Sequence, residues 1–213
     1  MNKSDQNKNI LNTPSTTHTP YDYDMVVADP PWSKNQKGAR GAQKHYDLMT
    51  LDEIMNLPVG DLTAENAVCW LWVTNSTIDE GYDVLRKWGF EPKSILTWFK
   101  FRPQLGLGMY LRNDTEHALL GVKGKMPIQV HNQPSWFVAP TARHSEKPTE
   151  FASIAVRCYP NCTKRLELFA RRRQPGWDAW GFEAPGGSDI VIPGYPVPTY
   201  SDKVTTTDKP KEV

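Results

Sequence analysis

The residues with the clearest chemical meaning follow a short apolar segment near the amino-terminal end of the chain. A Met-Val-Val-Ala run at residues 25–28 is followed at once by Asp29, Pro30, Pro31 and Trp32. Two consecutive prolines donate no backbone hydrogen bond, and the second restricts the first to the extended region, so a β-ladder cannot continue through them. The sequence therefore predicts a buried strand that stops at Asp29. Ligand sites in open α/β sheets lie at this carboxyl edge.

The four residues after the strand offer the groups that an exocyclic amine requires. The Asp29 carboxylate and the Pro30 carbonyl are two hydrogen-bond acceptors, and the Trp32 indole offers a flat face for a planar base. Two acceptors favour a pyramidal nitrogen, whose lone pair can then attack a methyl sulfonium. The alternative is a strand followed by an ordinary Pro-rich turn. Background composition gives this tetrapeptide on the order of once in a thousand chains of this length, which favours the functional interpretation.

Several further blocks accompany this motif, and together they resemble a known family. The blocks are Leu71-Trp72-Val73-Thr74, Glu116-His117 through Gly121-Val122-Lys123-Gly124, His144-Ser145-Glu146-Lys147-Pro148, and Leu166-Glu167-Leu168-Phe169-Ala170-Arg171. Over about residues 21–183 the chain resembles the N6-adenine methyltransferases related to the catalytic subunit of the eukaryotic mRNA methyltransferase, which include bacterial and phage members. The resemblance implies an S-adenosylmethionine-dependent enzyme that methylates the N6 amine of adenine in nucleic acid.

The resemblance also implies which residues form the site. The catalytic motif is Asp29, Pro30, Pro31 and Trp32. The implied cofactor contacts are Asp29, Lys147, Arg171, Arg173 and Glu183. The implied substrate contacts are Trp32, Lys44, Tyr46, Glu116 and Ser145. Glu183 departs from the eukaryotic pattern, where Asn-Gln follows a glycine that matches Gly181, but a glutamate there can still accept hydrogen bonds from ribose hydroxyls.

A basic segment follows the motif and supports a nucleic-acid substrate. Residues 34–44 contain four basic residues, among them Lys44, and two glycines, with no acidic residue. We expect a flexible loop that closes over a nucleotide and neutralises phosphates, and the alternative is a solvated surface loop. The net charge of the whole chain is only +1. Any nucleic-acid contact must therefore come from local clusters such as this one.

The remaining composition argues for a protein of the cytoplasm without a metal site. The three cysteines and five histidines show no zinc-ligand spacing, and we expect Cys69, Cys158 and Cys162 to be reduced and structural. No apolar segment approaches about 18 residues, and residues 1–19 are polar, so neither a membrane span nor a signal peptide is predicted. We expect a cytoplasmic, nucleoid-associated protein.

The pattern of elements predicts an α/β fold. Apolar runs predict strands at residues 25–28, 67–73, 95–101, 116–122 and 164–170. Helices are predicted after a capping box at Thr50-Leu51-Asp52-Glu53, at residues 79–88 before Gly89, and from Pro148. This alternation favours a Rossmann-like, mainly parallel sheet with helices on both faces. A Gly-x-Gly loop does not precede the first strand, and the resemblance explains this by circular permutation, with the cofactor-binding strand at residues 166–169 coming last.

The chain divides into three regions by composition. Residues 1–19 are predicted to be a disordered arm, residues 20–183 the methyltransferase domain, and residues 184–213 a flexible C-terminal tail.

A compact domain without an added RNA-binding module resembles the bacterial and phage members, so DNA is favoured over RNA by analogy. One alternative is an RNA methyltransferase. The other is a catalytically silent partner subunit, and the intact motif argues against this second alternative. Because the domain has few basic residues, a homodimer or a partner subunit is a further possibility for binding a duplex.

A third alternative is methylation of a protein amide or of the cytosine amine by a related enzyme. The tryptophan at the fourth position of the motif, Trp32, and the matching downstream blocks argue against it.

Overall fold

The computed structural model describes residues 21–33, 48–102, 110–141 and 146–197. Seven strands and four helices lie within these ranges. In chain order they are β1 (Tyr23–Ala28), α1 (Leu51–Met55), α2 (Val59–Leu62), β2 (Thr63–Val73), α3 (Ile78–Lys87), β3 (Glu91–Phe101), β4 (Thr115–Lys123), β5 (Trp136–Pro140), α4 (Thr149–Cys158), β6 (Arg165–Leu168) and β7 (Asp178–Trp180).

All seven strands form one sheet in the order β5-β3-β4-β2-β1-β6-β7. Strand β4 is antiparallel to both of its neighbours, and the other four pairings are parallel. The prediction of a mainly parallel sheet is therefore confirmed. The reversal of β4 brings its amino end to the edge where the other six strands have their carboxyl ends. This edge is called the carboxyl edge below.

Each face of the sheet carries its own hydrophobic cluster, because successive side chains of a strand point to opposite faces. On one face, Val26 of β1 packs in a cluster with Ile54 of α1 and Leu85 of α3. On the other face, Val27 packs in a cluster with Phe151 of α4. Helices therefore cover both faces, as predicted.

Local sequence signals place several element ends where they were predicted. The capping box is present, since the Thr50 backbone N–H donates to Glu53 Oε2 at 2.7 Å and the Glu53 N–H donates to Thr50 Oγ1 at 3.3 Å. Gly89 follows α3 with φ +86°, a left-handed conformation that glycine adopts without steric cost. None of the helices in the described part of the chain is long and apolar enough to cross a membrane. The three cysteines are free and buried.

The prediction of a flexible C-terminal tail is wrong for residues 184–197. Ile190 and Ile192 are only 3% and 1% exposed and belong to the hydrophobic cluster that includes Val26. Arg173 holds the same segment, donating to the carbonyls of Pro185 and Gly187 at 2.7 Å each. The Pro- and Gly-rich composition suggested disorder. Two isoleucines spaced two residues apart nevertheless bury enough apolar surface to fix the segment on the sheet.

Candidate active site

Strand β1 ends at the carboxyl edge between β2 and β6, and Asp29 is the first residue beyond it. The Asp29 backbone N–H donates to the Leu168 carbonyl of β6 at 3.4 Å, so the parallel pairing extends one residue past the strand. The Asp29 side chain is only 20% exposed. The predicted strand end is thus confirmed, and the carboxylate lies between the ends of β2 and β6.

The two prolines fix the backbone beyond Asp29 in a tight turn. The Trp32 N–H donates to the Pro30 carbonyl at 2.9 Å, which closes a three-residue turn around Pro31. The ring of Pro31 fixes φ near the value that an inverse γ-turn requires. The Pro31 carbonyl then accepts from the Met49 N–H at 2.9 Å. A carbonyl has two lone pairs, so the Pro30 oxygen retains one acceptor position beyond its bond to Trp32.

The expectation that Trp32 offers an open stacking face is wrong. The indole is only 8% exposed and packs in the cluster that contains Val26. Its Nε1–H donates to the Trp72 carbonyl at 3.1 Å. Trp32 therefore ties the motif to the end of β2 from inside the core. The local sequence does not distinguish these roles, because a tryptophan has the same flat apolar surface whether it meets a ligand or the core.

Lys147 joins the Asp29 carboxylate to a second carboxylate on β4. Its Nζ lies 2.7 Å from Asp29 Oδ2 and 3.3 Å from Glu116 Oε2. Lys100 of β3 contacts the other oxygen of Glu116 at 2.5 Å. The Lys147 ammonium also lies over the Trp72 ring, 5.3 Å from its centroid. Four charges of alternating sign thus cross the carboxyl edge from β1 to β3.

Both inner members of this row are charged at neutral pH. Burial alone would lower the pKa of Lys147, but Asp29 and Glu116 outweigh it and raise that pKa above its ordinary value. Burial alone would raise the pKa of Glu116, but Lys147 and Lys100 outweigh it and hold that pKa below its ordinary value. Lys147 was predicted to contact the cofactor and Glu116 the substrate. In the structure, the Lys147 ammonium contacts both the Asp29 carboxylate and the Glu116 carboxylate.

A cleft opens beside Asp29 at the carboxyl end of β6. It combines cationic, anionic and apolar side chains, which are Val27, Asp29, Trp72, Glu146, Lys147, Glu167, Leu168, Phe169, Arg171 and Arg172. Across the described ranges, no three His, Cys, Asp or Glu side chains are grouped so that they could hold a metal ion. The cleft is lined by charged side chains and by residues of β1, β2 and β6.

Phe169 and Glu167 are unusual members of the cleft. Phe169 has φ +62°, a left-handed conformation that is rare for a bulky residue and of order 1–3 kcal/mol in strain. Such strain is concentrated at ligand sites. Burial raises the pKa of Glu167, and the Gln174 side-chain amide donates to its Oε2 at 3.1 Å, which opposes the shift. A carboxyl in a cleft whose pKa is raised by burial is a candidate for binding a polar ligand.

The three consecutive arginines after β6 have different environments. Arg171, which was predicted to contact the cofactor, lines the cleft, and its Nε lies 3.1 Å from Glu183 Oε2. Glu183 is half exposed and lies outside the lining, so it reaches the cleft only through Arg171. Arg173 is not in the cleft lining: its guanidinium binds Asp189 and the carbonyls of the C-terminal segment, and its contact with the cofactor stays a prediction. Arg172 lines the cleft instead.

Three predicted substrate contacts, Lys44, Tyr46 and Ser145, lie outside the described residues. Sequence reasoning missed three charged residues that line the cleft, namely Glu146, Glu167 and Arg172. Glu167 had a recognisable signal, since it is a charged residue between two leucines of a buried strand. Arg172 had none, because its neighbours are also arginines.

The sheet order, the motif at the end of β1 and the charged cleft define a Rossmann-like methyltransferase fold. The chain belongs to the MT-A70 family, whose model matches residues 23–183. It is 30% identical over 193 residues to the Type II methyltransferase M.MunI of a Mycoplasma species, covering 80% of this chain and 81% of that protein. It is 31% identical over 175 residues to the human N(6)-adenosine-methyltransferase catalytic subunit METTL3, covering 76% of this chain and 28% of that protein.

A plant relative shows the same difference in coverage. The N(6)-adenosine-methyltransferase MT-A70-like protein of Arabidopsis thaliana is 29% identical over 172 residues, covering 77% of this chain and 24% of that protein. The chain thus spans about a quarter of the length of these plant and animal relatives. It spans about four-fifths of the bacterial one.

Proposed function

We propose that this protein transfers a methyl group from S-adenosylmethionine to the N6 exocyclic amine of adenine in nucleic acid, and that the polymer is DNA. The observation that carries the proposal is the Asp29 carboxylate in the lining of the cleft, followed directly by a tight turn that fixes the Pro30 carbonyl. Family membership supports the reaction class.

The residues of the cleft fit S-adenosylmethionine, which carries a carboxylate, an ammonium group, ribose hydroxyls and a sulfonium. Lys147 and Arg171 are cations that suit the carboxylate. Glu167 is a hydrogen-bonding acceptor that suits the ammonium group or a hydroxyl. When bound, the cofactor supplies an electrophilic methyl group. The apolar walls of Val27 and Leu168 exclude water from that group.

Asp29 and Pro30 are the groups that orient the target amine. The Asp29 carboxylate has about four lone-pair positions, so it can hold the Lys147 ammonium and still accept from an amine hydrogen. The remaining lone pair of the Pro30 carbonyl accepts the second amine hydrogen. As the nitrogen lone pair formed the new C–N bond, the C–S bond of the methyl donor would break and the sulfur would leave as a neutral thioether, while the Asp29 carboxylate would accept the proton that the nitrogen loses. Positioning and electrostatics supply most of the rate enhancement.

DNA is proposed by analogy with the Type II methyltransferase of a Mycoplasma species, 81% of which the match covers, compared with 28% of the human N(6)-adenosine-methyltransferase catalytic subunit. In duplex DNA the N6 amine is paired, so the base must leave the stack or be presented in a single strand. The small net charge makes a homodimer or a partner subunit the proposed route to a larger basic surface.

The test is a methylation assay with identification of the modified base. The purified protein is incubated with labelled S-adenosylmethionine and with unmethylated duplex DNA, single-stranded DNA or RNA. We expect N6-methyladenine on DNA, its loss in Asp29→Asn, and its retention in Asp52→Asn, which removes an acidic side chain of the first turn of α1.

The other outcomes are equally informative. Product on RNA alone would overturn the choice of polymer, and methylation of another base would overturn the adenine assignment. Cofactor binding without any labelled polymer would contradict catalysis by this chain alone and would favour a role as a partner subunit.

A further inference from the structure

Arg172 connects the end of β6 to the segment that precedes α4. Its Nη1 donates to the Lys147 carbonyl at 2.9 Å, and its Nη2 donates to the Pro148 carbonyl at 3.5 Å. Nη1 also lies 3.8 Å from Glu146 Oε1. The three partners are consecutive, and the Arg172 side chain is only 20% exposed. A single guanidinium therefore holds residues 146–148 against the sheet.

This segment carries the lysine that binds Asp29, yet its local sequence provides little to fix it. Helix α4 begins at Thr149, and its N-cap residue, Pro148, makes no side-chain capping bond. A lysine side chain has about 2 kcal/mol of rotamer entropy to lose, so a fixed backbone at Lys147 leaves only these rotamers to be ordered when the ammonium binds. The Lys147 ammonium is nevertheless placed between Asp29 and Glu116.

We propose that Arg172 is a positioning residue, which clamps the Lys147 and Pro148 carbonyls so that the Lys147 ammonium is held between Asp29 and Glu116. The clamp acts through the backbone of Lys147. Its consequence for methyl transfer rests on the proposed function, but its effect on the placement of Lys147 does not.

The neighbouring arginines show that this role belongs to position 172. Arg171 pairs with Glu183, and Arg173 holds the C-terminal segment through Asp189. Arg171 and Arg173 thus contact residues 183–189, whereas Arg172 contacts residues 146–148. An ammonium group cannot replace the clamp fully, because the rigid fork of an arginine presents two N–H groups to two carbonyls in fixed directions.

The proposal is tested by the rate at which Lys147 is acylated, measured for each lysine by peptide mass spectrometry after treatment with an amine-reactive acetyl ester. Neither cofactor nor nucleic acid is present, so a protein without methyltransferase activity would still give a readable result. We expect slow acylation of Lys147 in the wild type, since only an accessible, unprotonated amine reacts. In Arg172→Met the acylation rate of Lys147 should rise about tenfold. This is the increase in the unprotonated fraction of the amine when its pKa falls by about one unit.

Two further variants and an internal reference make the result specific. Arg157→Met removes an arginine near the opposite end of α4 and should leave the Lys147 rate unchanged. Arg172→Lys should give an intermediate rate, because one ammonium restores part of the contact. Lys123 reports on the fold, since its Nζ donates to the Gly60 carbonyl at 2.8 Å.

An unchanged Lys147 rate in Arg172→Met, with Lys123 still protected, would overturn the proposal. If Lys123 also becomes reactive in Arg172→Met, that variant has lost its fold, and the test of the clamp then rests on Arg172→Lys. An intermediate Lys147 rate in that variant supports the clamp, and the wild-type rate overturns it.

Discussion

The Lys147 ammonium and the Asp29 carboxylate are in contact at 2.7 Å although 118 positions separate them in the chain. The two side chains are 15% and 20% exposed, so water screens the pair only weakly. The contact joins the carboxyl end of β1 to the segment before α4 and forms one wall of the cleft. Charge balance in this region therefore depends on groups from both halves of the sequence.

Removal of the Lys147 charge should destabilise the fold. In Lys147→Met, Asp29 loses its cation and Glu116 retains only Lys100. Breaking a buried pair from one side costs about 3–5 kcal/mol, because it leaves a buried charge without its partner. Urea denaturation measures the loss. The control is Lys93→Met, whose exposed pair with Glu91 should contribute no more than about 1 kcal/mol. Equal losses of unfolding free energy in Lys147→Met and Lys93→Met would contradict the larger stabilising role of Lys147.

The stabilising effect of Glu116 should depend on pH. Its pKa in the folded protein lies below the ordinary value of 4.5, so its contribution is present above that value and is lost as the pH falls through the folded pKa. We expect Glu116→Gln to be less stable than the wild type at neutral pH, with a difference that narrows in acid. Urea denaturation at a series of pH values measures the difference. A difference that widened as the pH fell would have the wrong sign.

Glu167 should show the opposite dependence, although it lies in the same cleft. Burial raises its pKa above 4.5, so ionisation of this carboxyl opposes folding, and stability is lost as the pH rises through the folded pKa. We expect Glu167→Gln to be more stable than the wild type at neutral pH, with the gain disappearing below pH 4.5. The same denaturation series measures it. A neutral-pH loss of stability in this variant would show that the Gln174 hydrogen bond outweighs burial.

Substitutions at Arg171 and Arg173 should affect different properties, namely cofactor binding and the stability of the fold. Arg173→Met removes bonds to two carbonyls and to Asp189, and we expect it to lower the free energy of unfolding by about 1–3 kcal/mol. Arg171→Met should weaken S-adenosylmethionine binding about 10- to 100-fold, the loss expected for one hydrogen bond to a charged group. Denaturation and titration calorimetry measure the two effects. Weaker cofactor binding in Arg173→Met alone would reverse the assignment.

Local sequence patterns predicted those parts of the fold that depend on neighbouring residues. The strand end at Asp29, the capping box at Thr50 and the helix end at Gly89 require only a proline ring, a side-chain hydrogen bond or a left-handed backbone. Strands β5 and β7 were not predicted, because five and three residues carry too little periodicity. The direction of β4 depends on its partners β2 and β3, which its own sequence does not specify.

The sequence by itself determined the chemistry available at the site, since Asp29, Lys147 and Arg171 were predicted there and all three line the cleft. Only the tertiary structure decided how the side chains are used. It directs Trp32 into the core and separates the clamp of Arg172 from the structural role of Arg173. The physical reason is that residue type fixes which groups a side chain can offer, whereas its partners depend on the strands and segments that packing brings together.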